Sequence, residues 1–241
     1  MTTVFIISAP SGSGKSTLVN KIRQTVPDLE FSISYTTRKP RGAEQNGCEY
    51  FFVTPQQFEE MIRKDEFLEH ADVFGNYYGT ARHFLSQAKA DGKDLLLDID
   101  VQGAAQIKNK LPDAVSIFVL PPSRSELEQR LRSRSQDSED VIQRRLAAAT
   151  REIENYEKYD YILVNDRLAD SVETLNAILL SERLQRAGRP DADLRAKAET
   201  CRLEQIRQRL QPILRSFTET PGESLKETVG QECRGESNEV D

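Results

Sequence analysis

Tryptophan is absent from the 241 residues, and aromatic residues of all kinds make up 7 %. Charged residues reach 30 %. That balance suits a soluble, helix-rich chain, long enough for a real core in one α/β domain with additions or in two small domains. No apolar run approaches the roughly 18 residues of a membrane span, so no membrane partner is expected. Cysteine is scarce. Cys48, Cys201 and Cys233 are scattered, with neither metal-ligand spacing nor a disulfide framework. The first strand-like run begins at Val4, so no leader peptide is expected. A reducing cytoplasm is the natural location. A basic excess is also missing: 33 basic residues face 39 acidic ones, a net charge of −6. Seven of the acids lie in residues 217–241 against Lys226 and Arg234, so the rest of the chain is close to neutral. An overall positive field for nucleic acid is therefore excluded.

What the chain does have starts at once. Val4-Phe5-Ile6-Ile7 is a short β-branched run and reads as a buried strand. Leu18, Val19 and Ile22 fall at helical spacing. Between them lies Ala9-Pro10-Ser11-Gly12-Ser13-Gly14-Lys15-Ser16-Thr17, a phosphate-binding loop between strand and helix. Gly12 and Gly14 let the backbone turn its N–H groups around an anion, and the helix N-terminus adds partial positive charge. Lys15 would bridge the outer phosphates of a nucleotide, and Ser16 would offer its hydroxyl to Mg²⁺. The usual motif opens on Gly, and this chain has Ala9. If that position needed positive φ, Ala would cost on the order of 1 kcal/mol. If it needs only a small side chain, Ala is harmless. The bland alternative is a Gly-rich turn with a chance lysine.

Further buried strands are expected at 94–99, 115–120 and 161–164, alternating with helices at 16–26, 81–91, 104–110, 123 onward, 138–158 and 168–186. This predicts an α/β fold with a doubly wound parallel sheet. Residues 34 to about 84 break the alternation. Strands at 31–35 and 49–53, a helix capped by Thr54 with Pro55 first, and a hairpin at 66–79 read as a small inserted mixed β unit. Ligands of such sheets sit at the carboxyl ends of the strands, where the phosphate loop and the acids Asp98 and Asp100 lie.

The insert is rich in polar groups. Ser34-Tyr35-Thr36-Thr37-Arg38-Lys39-Pro40-Arg41-Gly42 is followed by Tyr50, by Phe67-Leu68-Glu69-His70 and by Tyr77-Tyr78-Gly79-Thr80. Leu97-Asp98-Ile99-Asp100-Val101-Gln102-Gly103 closes the set. Taken singly, the arginines read as a solvated loop and the tyrosines as a core edge. With the phosphate loop, and in this order and spacing, these stretches resemble the guanylate kinase family from about residue 2 to residue 187.

The resemblance implies a P-loop kinase core with a GMP-binding subdomain and a mobile lid. It implies Mg²⁺-dependent transfer of the γ-phosphoryl of ATP to GMP or dGMP, in purine nucleotide metabolism. It divides residues 1–187 into a core (1–33, 85–125 and 151–187), a GMP-binding part (34–84) and a lid (126–150). Ser34, Arg38, Arg41, Tyr50, Glu69, Tyr78, Thr80, Asp98 and Asp100 match the acceptor site. Arg38 and Arg41 are planar forks suited to a phosphate, with the hydroxyls of Tyr50 and Tyr78 as neutral donors. Glu69, with Asp100, would accept from guanine's N1–H and amine, and Thr80 would donate to O6. Adenine has the opposite polarity there and would leave buried groups unmatched. Asp98 serves either Mg²⁺ or a ribose hydroxyl; a plain helix N-terminal acid is the bland reading of Asp98 and Asp100. Arg130, Arg134 and Arg145 match the lid's ATP-side arginines, with Lys15, Arg38, Arg134 and Arg145 as the catalytic set. Arg132 and Arg144 fit a salt-bridged surface equally well. Ser135 stands where the family has Gly, and Asn165 matches a position near the adenine.

Beyond Gly188-Arg189-Pro190, Leu203, Ile206, Leu210, Ile213 and Phe217 form one narrow apolar stripe. This extension, residues 188–217, would pack on the core or join a second subunit into a homo-oligomer. Pro212 should kink or end its helix. Composition from 218 to 241 favours disorder. Two rival readings remain. A non-enzymatic scaffold of the same fold typically loses the phosphate loop, which is intact here. A P-loop kinase for another small phosphorylated acceptor would not need Glu69 and Thr80.

Overall fold

The structure, a computed structural model, describes residues 2–73, 75–134 and 138–218. The chain opens with β1 (Val4–Ser8), α1 (Lys15–Thr25) and β2 (Leu29–Ser32). The insert follows as β3 (Tyr35–Thr36), β4 (Phe51–Phe52), α2 (Pro55–Arg63), β5 (Phe67–Val73) and β6 (Asn76–Ala81). Then come α3 (Arg82–Ala90), β7 (Asp94–Asp98), α4 (Val101–Lys110), β8 (Val115–Leu120), α5 (Arg124–Arg134) and α6 (Glu139–Ile153). The described chain ends with β9 (Tyr161–Val164), α7 (Leu168–Arg186), α8 (Ala192–Glu199) and α9 (Leu203–Thr218).

Five strands form a parallel sheet in the order β2-β7-β1-β8-β9. Their side chains alternate between two apolar layers. Ile6, Leu97, Phe118 and Ile162 face α3, α4, α5, α6 and α9. Phe5, Ile7, Leu96 and Ile117 face α1 and α7. All of these strand residues are fully buried, and each such side chain contributes roughly 1.5–3 kcal/mol. Both faces are covered, which is why β1, β7 and β8 read as continuous apolar runs. Strand register then sets the site. Ile7 of β1 pairs with Asp98 of β7, so the carboxylate arrives beside the start of the phosphate loop.

The second sheet is mixed, in the order β4-β3-β6-β5. β3 runs parallel to β4 and antiparallel to β6, which runs antiparallel to β5. α2 begins as expected: Thr54 and Gln57 exchange side chain-to-backbone bonds in a capping box, and Pro55 follows.

Several boundaries differ from expectation. The single strand at 31–35 is two. Phe31 and Ser32 pair with β7 in the main sheet, whereas Tyr35 pairs with Phe51 and Gly79 in the second. Alternation shows faces but not which backbone a strand will pair with. The strand at 49–53 shrinks to β4. Helix 138–158 ends at Ile153, with a separate 3₁₀ turn at Tyr156–Lys158. α4 starts earlier than expected, because the Asp100 side chain accepts from Gly103 N and caps it.

The extension is two helices rather than one, and Pro212 lies inside α9 without ending it. Pro212 is exposed and so is Gln208, whose carbonyl loses its partner, so the freed carbonyl lies on the solvent face. On the other face Ile206, Leu210, Ile213 and Phe217 are buried in the layer that holds Leu127, Leu131, Ile142 and Leu146. α9 packs on α5, α6 and β9, and Ser216 Oγ accepts from Arg124 N at 3.0 Å. The stripe expected to pack on the core or to meet a second subunit is thus used within the chain. The acidic stretch from residue 219, including Cys233, lies outside the described residues.

Candidate active site

A cleft of about 880 Å³ lies at the carboxyl ends of β1 and β7, walled by the phosphate loop, the second sheet and α6. Every residue of the loop from Ala9 to Ser16 except Ser13 lines it; Thr17 does not. Gly12 and Gly14 have φ of 94° and 89°, a region that favours glycine. A Cβ on Gly12 would lie 2.8 Å from Leu131 Cδ2 and 2.9 Å from Leu127 Cδ1, so the loop rests directly on α5. Among the described residues the only non-glycine positive φ values are at Asp28 and Asp65. Ala9 is therefore unstrained, and the departure from Gly has no backbone cost.

Lys15 Nζ forms an ion pair with Asp98 and reaches the Ile99 carbonyl at 3.4 Å. Burial opposes its charge, but Asp98 outweighs burial and holds the ammonium above its ordinary pKa. Asn165, expected near the adenine, is buried and donates to the Ser13 carbonyl at 2.8 Å. Arg130 donates to the Asn165 carbonyl at 3.1 Å and to Glu126 at 2.9 Å. Both side chains brace the loop from below in this arrangement. Arg145 lies across the cleft mouth and donates to Ser11 Oγ at 2.9 Å. Arg132 is tied to Glu128 and Glu139 on the surface. Arg134 closes α5, but its side chain lies outside the described atoms, as does Ser135.

On the second sheet Ser34, Arg41, Tyr50, Glu69 and Tyr78 line the cleft, together with Asp98 and Asp100. Arg38 and Thr80 lie just behind them. Arg38 is nearly buried. Its guanidinium grips both oxygens of Glu44 at 2.9 and 3.0 Å and donates to the Tyr78 hydroxyl at 3.2 Å. Glu44 chiefly, and Tyr78 with it, outweigh burial and push Arg38 above the ordinary arginine pKa. Thr80 is fully buried and donates to Glu69 Oε1 at 2.6 Å. Burial pushes the Glu69 carboxyl up to about 7, against the Thr80 bond and with help from Asp100. The close approach of α4 depends on Gly103, where a Cβ would lie 2.5 Å from Glu69 Oε2.

No group of three or more His, Cys, Asp or Glu among the described residues could hold a metal ion alone. The hard oxygens of Ser16 and Asp98 nevertheless suit Mg²⁺, which takes one or two protein ligands and fills its shell with phosphate and water. The residues fit a nucleotide-borne ion. No helix of the described residues is long and apolar enough to cross a membrane.

Two functional features are not visible in the linear sequence: the pairing of Arg38 with Glu44, and Glu152, which lines the cleft from the far end of α6. Glu152 sits at helical spacing from Arg145 and Ala149, but that face is recognisable only once the cleft wall is known.

A phosphate loop at the end of the central strand, an acid on the neighbouring strand and a second nucleotide-sized wall define a P-loop phosphotransferase. The family model for guanylate kinase matches residues 1–182. The guanylate kinase of Koribacter versatilis (strain Ellin345) is 60 % identical over 222 residues, which cover 89 % of this chain and 95 % of that one. That of Escherichia coli (strain K12) is 52 % identical over 185 residues, covering 76 % and 89 %. The crystal structure of guanylate kinase from Anaplasma phagocytophilum superposes with a TM-score of 0.61 at 31 % identity, covering 83 % of this chain and 94 % of that one. The chain belongs to the guanylate kinase family and is a nucleoside-monophosphate kinase.

Proposed function

We propose that the chain transfers the γ-phosphoryl group of ATP to GMP, giving ADP and GDP, and that the cleft residues divide the work as follows. Arg41, the Tyr50 and Tyr78 hydroxyls and, behind them, Arg38 take the acceptor phosphate. Glu69 and Asp100 accept from the N1–H and amine of guanine, and Thr80 holds Glu69 in place. The observation that carries this reading is the location of the buried Glu69 carboxylate in the same cleft as the phosphate loop. A carboxylate there selects a base edge made of two donors, which guanine has and adenine lacks.

The backbone of residues 9–16 cradles the ATP phosphates. An oxygen of the GMP phosphate attacks the γ-phosphorus, and the bond from that phosphorus to the oxygen shared with the β-phosphate breaks. A phosphate dianion needs no general base for this. The protein's task is positioning and charge stabilisation. Lys15, within the loop, and Arg145, bonded to Ser11, stabilise the charge on the moving group. Ser16 and Asp98 would hold Mg²⁺, which when bound neutralises charge on the β- and γ-oxygens. Cytoplasmic location is proposed with this activity.

A coupled ADP-release assay with ATP and GMP, AMP, UMP or CMP in turn tests the assignment. Turnover is expected with GMP and at least a thousandfold less with AMP, on the order seen when buried polar groups are left unmatched. Comparable turnover of AMP would overturn it.

A further inference from the structure

One face of α6 forms a wall of the cleft: Val141, Arg144, Arg145, Ala148, Ala149 and Glu152 all line it. The spacing of three and four puts them on a single stripe. The stripe is basic at its start, small in the middle and acidic at its end. Arg145 reaches the phosphate loop at Ser11. The two alanines leave room for a ligand beside the helix.

Glu152 differs from the other acids in the cleft. Asp98 is paired with Lys15, Asp100 caps α4, and Glu69 is bonded to Thr80. The Glu152 carboxylate has no hydrogen bond or ion pair among the described residues. It is partly buried, and burial pushes its carboxyl up to about 7, while Lys15 pulls it down and Asp100 pushes it up. It therefore lies within electrostatic reach of both the phosphate-loop lysine and the acid assigned to guanine.

A carboxylate only accepts hydrogen bonds, so a ligand meeting Glu152 must present a donor. In the arrangement proposed above, the guanine donors go to Glu69 and Asp100, and the phosphate has none. The donors left on a nucleoside monophosphate are its ribose hydroxyls. The ribose joins base to phosphate, and so spans the space between Asp100 and Arg41, in the cleft that Glu152 also lines.

We infer that Glu152 accepts a hydrogen bond from a ribose hydroxyl of the acceptor nucleotide, making α6 a reader of the acceptor's sugar. The inference rests on the GMP assignment. It adds a discrimination between ribonucleotide and deoxyribonucleotide to the discrimination between bases. It also completes the enclosure of the acceptor, with base and phosphate held by the second sheet and sugar held by α6.

The test is kcat/KM for GMP, 2′-deoxy-GMP and 3′-deoxy-GMP in the wild type, Glu152→Gln and Glu152→Ala, with the same series for ATP and 2′-deoxy-ATP. A hydrogen bond to a charged acceptor predicts that the wild type prefers GMP over one of its deoxy analogues by about tenfold or more. In both variants that preference should collapse, through loss on GMP and little change on the analogue. Equal losses on all three acceptors, an unchanged preference, or a collapse confined to the ATP pair would each overturn the inference. Failure of the wild type to use GMP at all would instead overturn the assignment beneath it. Glu152→Gln should be at least as stable as the wild type in thermal unfolding above pH 7, because the carboxylate has no protein partner to lose and its burial opposes its charge.

Discussion

Thr80 Oγ1 donates to Glu69 Oε1 at 2.6 Å, and both side chains are buried. One oxygen of the carboxylate is thereby committed to the protein, and the group is fixed in direction before any base arrives. Its carboxyl is held near 7, chiefly by burial. Guanine's paired donors require the ionised form, so GMP binding should expel a proton. Calorimetry at pH 7 in buffers of different ionisation enthalpy should give about half a proton released per GMP. The acceptor phosphate, with a second pKa near 6, contributes only about a tenth. Glu69→Gln should remove most of the release and much of the affinity. Stability has the opposite sign. The raised pKa means that stability from this group is full below about 4.5 and is lost as pH rises through about 7. Unfolding of the ligand-free protein should therefore show a downward slope over that range which Glu69→Gln flattens.

Lys15→Met should reduce kcat by at least a hundred- to a thousandfold, the usual effect of deleting one charge-stabilising donor. The fold should survive, because the lysine faces the cleft and Asp98 remains partly exposed. Near-normal turnover in a folded variant would show that another group supplies this charge.

Arg41 and Arg38 should behave differently although both are proposed to take the acceptor phosphate. Arg41→Met should raise KM for GMP by about tenfold or more with little change in KM for ATP. Arg38→Met should do the same and also lower the unfolding midpoint, because the paired contact between the nearly buried Arg38 and the part-exposed Glu44 is lost. Parallel effects of both variants on ATP would point to general damage instead.

Leu210 on α9 is fully buried, in the layer shared with Leu127 and Leu131. Leu210→Ala should cost roughly 2–5 kcal/mol of stability, read by denaturant unfolding. Those leucines support Gly12, so KM for ATP should rise more than KM for GMP. A stability unchanged by the substitution would mean that α9 does not pack here in solution.

The phosphate loop was legible because its chemistry is contiguous: strand, glycines, lysine and helix follow one another within residues 4–22. The parallel sheet was legible because β1, β7, β8 and β9 are buried on both faces and read as unbroken apolar runs. The pair proposed to read guanine was harder. Glu69 and Thr80 are on neighbouring antiparallel strands, and only the family resemblance joined them. Features built from distant segments stayed hidden. Nothing in residues 31–35 tells that the chain leaves one sheet for another after Ser32. Nothing near Glu44 marks it as the partner of Arg38, and Glu152 belongs to the cleft only because α6 folds over it. Pro212, expected to kink or end its helix, does not end it, and the carbonyl it frees lies on the solvent face.

The grip of Arg38 on Glu44 has a consequence for how a charged substrate enters. At Arg38, in the proposed arrangement, an incoming phosphate does not meet a bare cation. It displaces one anion and takes its place, so the guanidinium passes from carboxylate to phosphate without standing alone. Lys15, held by Asp98, is in the same position. At these two cations the cleft would work as an ion exchanger: the number of charge pairs is the same before and after the trade, and what changes is which anion is held. Capture of this kind should depend only shallowly on salt, because few counterions are released. Small oxyanions such as sulfate should compete for the same forks in proportion to their fit, and not merely to their charge.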